Sequence, residues 1–141
     1  MTIQAVIARK GGEVISLTSD ASVGEAVALL AERRIGAVPV IDDGHVSGVF
    51  SERDVIHGLA VGGDSMARRV GEVMTAPAIT VGLGDSVLAA LSLMTRRRIR
   101  HLPVIDGGRV VGIVSIGDLV AHRIAAIEAD AEAMRAYIQQ A

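Results

Sequence analysis

The 141-residue chain has no cysteine, no tryptophan, one phenylalanine and one tyrosine. Without cysteine there is no disulfide, no thiolate nucleophile and no cysteine-ligated metal. With so few aromatics there is no row of rings on which nucleic-acid bases would stack. A surplus of charge is missing too: the formal net charge of −2 gives no electrostatic pull towards nucleic acid or a membrane surface. No apolar run approaches the roughly 20 residues of a membrane span. The N-terminus shows no long apolar core followed by a small-residue cleavage site, so no signal peptide is read. The expectation is a cytoplasmic, soluble protein that binds neither nucleic acid nor membrane.

What the chain does have is aliphatic. Half of its residues are apolar, so any core is built from Val, Ile, Leu, Ala and Met. The length suffices for one sizeable core or two small ones packed together. The most informative feature is an internal repeat. Arg34 to Ile56 and Arg98 to Val120 share an apolar-Pro-Val-Ile-Asp strand, a turn glycine and Gly-x-x-Ser-x-x-Asp. Pro39 and Pro103, Gly48 and Gly112, and Asp54 and Asp118 are each 64 residues apart, with no gap.

Met1 to Arg9 has Ile3, Val6 and Ile7 at helical spacing, with Lys10-Gly11-Gly12 as a stop. Val14 to Thr18 reads as a short β-branched strand. Ser22 with Glu25 forms a capping box for a helix from Val23 to about Arg34, with Gly36 just past its end. Ala37–Ile41 and Val46–Phe50 make a hairpin around Asp42-Asp43-Gly44. Ser51 opens a helix ending near Leu59, and Gly62-Gly63 is a break. Ala67 to Met74 reads as a short helix beginning the second half, and Ile79 to Val81 as the counterpart of the first strand. A second capped helix, from Val87 to about Arg98, precedes the second hairpin and the helix opened by Ser115. That last helix continues to the end of the sequence. Val120, Ile124, Ile127, Ala131, Met134 and Ile138 form an a/d seam along it.

Ser51 and Asp54, and again Ser115 and Asp118, stand at helix starts. A hydroxyl and unpaired backbone N–H groups there suit a phosphate. A carboxylate one turn in can accept from two vicinal hydroxyls of a ribose. A plain N-cap Ser and a dipole-complementing Asp would look the same. Arg53 is unusual, since a cation in a first helical turn opposes the dipole and calls for an anion, either a phosphate or Glu52. The Arg96-Arg97-Arg98 run is explained by its place at a helix C-terminus. His45, His57 and His122 have unrelated spacings and give no metal motif. No nucleophile–base set is legible, so an enzyme is not expected.

The duplicated strand–helix–hairpin–helix pattern resembles the CBS domain pair, or Bateman module, over about 14–59 and 74–120. The resemblance implies an α/β fold of two β-α-β-β-α motifs, each a small sheet packed on two helices and related by a pseudo-two-fold axis. Motif 1 would span 14–60 and motif 2 74–122, with an N-terminal helix and linker over 1–13, a linker over 61–73 and an extended C-terminal helix over 123–141. It also implies two composite clefts that hold adenine nucleotides. One would take Ser51, Arg53 and Asp54 from the first repeat with Thr80, Arg100, His101 and Leu102 from the second. The other would take Ser115, Gly117 and Asp118 with Thr18, Gly36, Ala37 and Val38. Arg53, Arg100 and His101 mark the first as the better site for a phosphorylated ligand. The second has only Ser115 and backbone amides at matching positions. The ligand expected is AMP, ADP or ATP, with NAD or S-adenosylmethionine as further choices and no metal required. The expected role is regulatory, exerted on an unknown protein by a homodimer. The alternative is a scaffold that binds no nucleotide and docks through its C-terminal helix.

Overall fold

The structure, a computed structural model, describes residues 1–11 and 13–140. Gly12, within the expected stop after the first helix, and Ala141, at the end of the expected last segment, lie outside the described residues.

Helix α1 spans Ile3–Lys10. Helix α2, Val23–Arg33, starts where the Ser22 hydroxyl accepts from the Glu25 amide at 3.1 Å. Its buried stripe is Val23, Ala26 and Leu30. Strands β1 (Ala37–Asp42) and β2 (His45–Ser51) pair antiparallel, with a bulge between Val40 and Ile41. Helix α3, Glu52–Val61, follows, and then α4, Val70–Val73. The second half repeats the order. Strand β3 (Val81–Gly82) lies parallel to β4 (His101–Asp106), and β4 pairs antiparallel with β5 (Arg109–Ser115). The bulge recurs between Val104 and Ile105, 64 residues after the first. Helix α5 spans Val87–Arg97, and α6 spans Ile116–Gln140. The fold is the expected α/β pair of motifs with a long last helix.

Several boundaries differ from expectation, each for a local reason. Val14 to Thr18 makes a single parallel bridge, Leu17 to Val40, and no named strand. The next amide available for pairing, Ser19 N–H, is taken by the Asp42 carboxylate at 3.0 Å, which ends the ladder. Ile79 to Val81 gives a strand only at Val81–Gly82. The helix expected from Ala67 to Met74 is split into a 3-10 turn at Ser65–Ala67 and α4. Arg68 and Arg69 between them are extended, because the Arg68 carbonyl accepts from Val23 N–H at 2.8 Å. Gly36 does not cap α2. The left-handed residue is Arg34 (φ 54°), and Arg98 (φ 55°) holds the same place after α5. Ile35 N–H closes back on Leu30 O, and Ile99 N–H on Met94 O, both at 3.1 Å.

Two cores result. One contains Val23, Ala26, Leu30, Val38, Val40, Phe50 and Val70. The other is built on Val87, Met94, Leu102, Val104, Val114 and Leu119, and it also takes Ile3 and Val6. The short helices are therefore exchanged. Helix α1 precedes the first repeat but packs into the second core, while α4 precedes the second repeat but packs into the first. The docking bonds match: Ile3 N–H donates to Asp85 O at 2.9 Å, and Val70 N–H to Ala21 O at 2.8 Å.

Candidate functional site

The repeat places the N-termini of α3 and α6 where the two hairpins face one another. Each start carries the same reciprocal cap. Ser51 N–H donates to Asp54 Oδ2 at 2.9 Å, and Ser115 N–H to Asp118 Oδ2 at 2.8 Å. Asp118 N–H returns a bond to Ser115 Oγ at 3.0 Å, whereas Ser51 Oγ donates to Asp54 Oδ2 at 3.3 Å.

Beside the first cap is a cavity of about 530 Å³. Ser51, Arg53, Arg100 and His101 line it, as do Gly36 and Glu52. Its apolar walls include Ile56, Ile79 and Ile99. Asp54 itself is buried behind the wall, only 7% exposed. Besides Ser51, its carboxylate accepts from Thr75 Oγ1 at 3.0 Å. A carboxylate offers about four acceptor positions, so three of them are in use. Thr80 and Leu102 do not line the cavity; Leu102 is fully buried in the second core. Arg53 has found an anion substitute within the protein. Its Nη1 donates at 2.9 Å to the carbonyl of Arg98, the left-handed residue ending α5. Arg100 has no ion pair among the described residues.

A second cavity, about 400 Å³, lies at the other cap. Of the expected residues it has Ser115, Asp118, Gly36 and Ala37 in its wall. Thr18, Val38 and Gly117 are not in the wall, and Val38 is fully buried in the first core. Two cations join it that sequence reasoning missed, Lys10 and Arg34. Lys10 Nζ sits 2.8 Å from Asp118 Oδ2 and also donates to Ile113 O at 2.8 Å. Burial pushes the Asp118 carboxyl up, but the Lys10 bond and the Ser115 amide outweigh it and hold it below the ordinary value. Lys10 was legible only as the basic end of a helix. Nothing local told that α1 crosses to the other repeat. Arg34 stands 64 residues before Arg98, which is not in the wall of the first cavity, so the repeat gave no signal for it.

His101 and Gly36 line both cavities. A Cβ at Gly36 would lie 3.1 Å from Glu52 Oε1 and 3.4 Å from the His101 ring, so this glycine allows the two halves to approach. Burial lowers the His101 pKa, and the charges of Lys10 and Arg100 act in the same direction. Asp118 and Glu52 pull the other way. The shared junction thus has a neutral imidazole between two cavities, each lined by cations and a capped helix start.

Among the described residues no group of His, Asp and Glu could hold a metal ion, and no helix is long and apolar enough to cross a membrane. The chain is similar to a mitochondrial CBS domain-containing protein, CBSX3, of Arabidopsis thaliana. The two are 36% identical over 148 residues, covering 98% of this chain and 72% of that one. The CBS-domain protein ATU1752 of Agrobacterium tumefaciens superposes with a TM-score of 0.83 at 38% identity, over 87% of this chain and 99% of that one. A CBS domain protein of Pyrobaculum aerophilum complexed with AMP superposes at 0.75 and 27% identity, over 84% and 89%. The CBS domain pair of MJ0100, in complex with 5-methylthioadenosine and S-adenosyl-L-methionine, superposes at 0.78 and 25% identity, over 89% and 97%. The CBS domain model matches twice, over residues 6–61 and 70–124. This chain belongs to the CBS domain family, as a pair of CBS domains that together cover nearly all of it.

Proposed function

We propose that the chain is a regulatory module that binds an adenine nucleotide in the first cavity. The observation that carries this reading is the composite wall. Ser51 and Arg53 come from one repeat, and Arg100 and His101 from the other, around the capped Asp54. The Arg100 guanidinium, the His101 imidazole and Arg53 would meet phosphate oxygens with charge-assisted hydrogen bonds. Ile79 and Ile99 would sandwich the base, and Asp54, behind the wall, would hold Ser51 and Thr75 in place to meet the ribose. AMP, ADP or ATP fit this chemistry best. NAD and S-adenosylmethionine share the adenosine half, and the AMP and S-adenosyl-L-methionine complexes of the structural relatives support that class.

The second cavity would prefer a less charged ligand, because Asp118 already neutralises its Lys10 and leaves Arg34 to meet an anion, against Arg53 and Arg100 in the first cavity. A ligand touching both repeats favours one relative orientation of them, and the output is a shift in that equilibrium. The acting form is a homodimer that signals to a further protein. The reading is non-catalytic: Ser51 Oγ donates to a carboxylate with no histidine base between them. The scaffold alternative is favoured by one observation, the exposed apolar residues Ile56, Leu59 and Val61 of α3 together with those of α6.

Calorimetric titration with AMP tests the reading. Asp54→Ala should abolish the tighter site, while Asp118→Ala leaves it intact. Arg100→Ala, at an exposed position that supports no cap, should weaken AMP about tenfold, or about 1.4 kcal/mol. Loss of tight binding in Asp118→Ala alone would reverse the ranking. No binding by the wild type would leave the scaffold.

A further inference from the structure

Helix α6 outruns the body of the protein. Every residue from Ile127 to Gln140 is exposed. The fourteen residues rise about 21 Å at 1.5 Å each. The seam is on this projecting part: Ile124, Ile127, Met134 and Ile138 are each half or more exposed. The seam therefore does not pack on its own chain. Isolated helices of this length are marginal in water, and an exposed face of this kind calls for a partner.

The charges beside the seam identify that partner. With Ile124, Ala131 and Ile138 at a, and Val120, Ile127 and Met134 at d, Arg123 and Asp130 fall at g, and Glu128 and Arg135 at e. In a parallel two-stranded coiled coil each g residue meets the e residue five positions on in the other helix. Arg123 then faces Glu128 of the second copy, and Asp130 faces Arg135, so both pairs are complementary. The antiparallel register that stacks the same seam sets Ile124 against Met134 and Ile127 against Ala131. It brings Glu128 beside Glu128 and Asp130 beside Asp130, both repulsive. Among the described residues of one chain Arg135 pairs only with Glu132, at 3.1 Å, an exposed contact that does not hold it against rearrangement.

We propose that the projecting part of α6 is a homotypic docking element that pairs in parallel with α6 of a second copy through this seam. Parallel pairing sets like ends together, so the second CBS motifs of the two copies lie side by side. This deepens the homodimer part of the functional reading and is independent of nucleotide binding.

The full-length chain tests it in two ways. Asp130→Lys and Arg135→Glu each place like charges across a parallel homodimer, but a mixture of the two variants restores both pairs. Mixed and separated by mass, they should form heterodimer well above the one-half share of random pairing. A statistical mixture would overturn the proposal. Because the chain has no cysteine, a single Met134→Cys gives a clean second readout. Parallel pairing juxtaposes the two introduced thiols, so mild oxidation should link the copies. Ala129→Cys, on the outer face, should stay unlinked. A dimer in which Met134→Cys does not link would overturn the parallel tail while leaving a dimer formed through the body. A monomer would overturn both.

Discussion

His101 is the residue at which the two cavities touch, and its protonation is the property most open to measurement. Burial and the charges of Lys10 on α1 and Arg100 disfavour the imidazolium, against the opposing pull of Asp118 on α6 and Glu52 on α3. The folded-state pKa is below the ordinary 6.5, so the unfolded chain takes up a proton first as pH falls. Stability rises with pH wherever the unfolded state binds more protons. His101 therefore contributes stability that is complete above about pH 6.5 and falls as the pH drops towards its folded value. Thermal melts of the wild type and His101→Gln between neutral and mildly acidic pH should differ in slope, with the wild type losing more on acidification. Equal slopes would mean that the fold does not lower the His101 pKa. What the resemblance to the CBS domain pair implies for the first cleft matches the cavity wall at Ser51, Arg53, Arg100 and His101, while Asp54 lies behind that wall. Thr80, Leu102, Thr18 and Val38 were assigned by position in a motif, and motif position does not say which way a strand residue points. Leu102 and Val38 alternate inward into the two cores.

At the scale of elements the repeat is not energetically symmetric, and its paired glycines show it. Gly48 and Gly112 occupy equivalent places on β2 and β5, 64 residues apart. A Cβ on Gly48 would come within 2.6 Å of the Thr75 carbonyl oxygen, which is backbone held by the bond Val49 N–H donates to it. A Cβ on Gly112 would meet Ile7 Cδ1 at 2.7 Å, the tip of a side chain that has other rotamers. Gly48→Ala should therefore cost about 1–3 kcal/mol as an overpacking change, and Gly112→Ala distinctly less. Urea unfolding of both variants checks this; equal losses would mean that the Thr75 segment gives way as easily as a side chain. The sequence marks both glycines as one motif, and only the covering element tells them apart. The repeat conceals that element because the exchanged helices keep a different register. Ile3 and Val70 dock equivalently yet are 67 residues apart, three more than the rest of the repeat. A gap-free comparison aligns Val70 with Val6 and conceals the exchange. The long last helix had no such difficulty, since its seam depends only on helical period.

For the whole molecule the exchange decides whether the two motifs are one folding unit. Each core is completed by a helix that precedes the other repeat: Ile3 and Val6 close the second, and Val70 closes the first. Between them the chain makes further ties, including Arg53 to Arg98 O and Lys10 to Asp118. Unfolding the first motif would pull α1 away from the second core and expose Ile3, which is fully buried there. The second core is thus incomplete without a helix from the far side of the first motif, and with these ties between the halves the expectation is one cooperative transition. Ile3→Ala tests this from the far end of the sequence. Truncating a buried isoleucine costs about 2–5 kcal/mol, here in the second core. If the motifs are coupled, the whole transition moves to lower temperature as a single peak in calorimetry, with calorimetric and van't Hoff enthalpies still equal. If they are independent, the peak splits and only the part belonging to the second motif moves. The single-peak outcome also bears on function. On the proposed reading, a ligand lodged between the repeats would act on a body that yields as a unit, so its binding energy would be available to set their relative orientation and would not be dissipated in loosening one half.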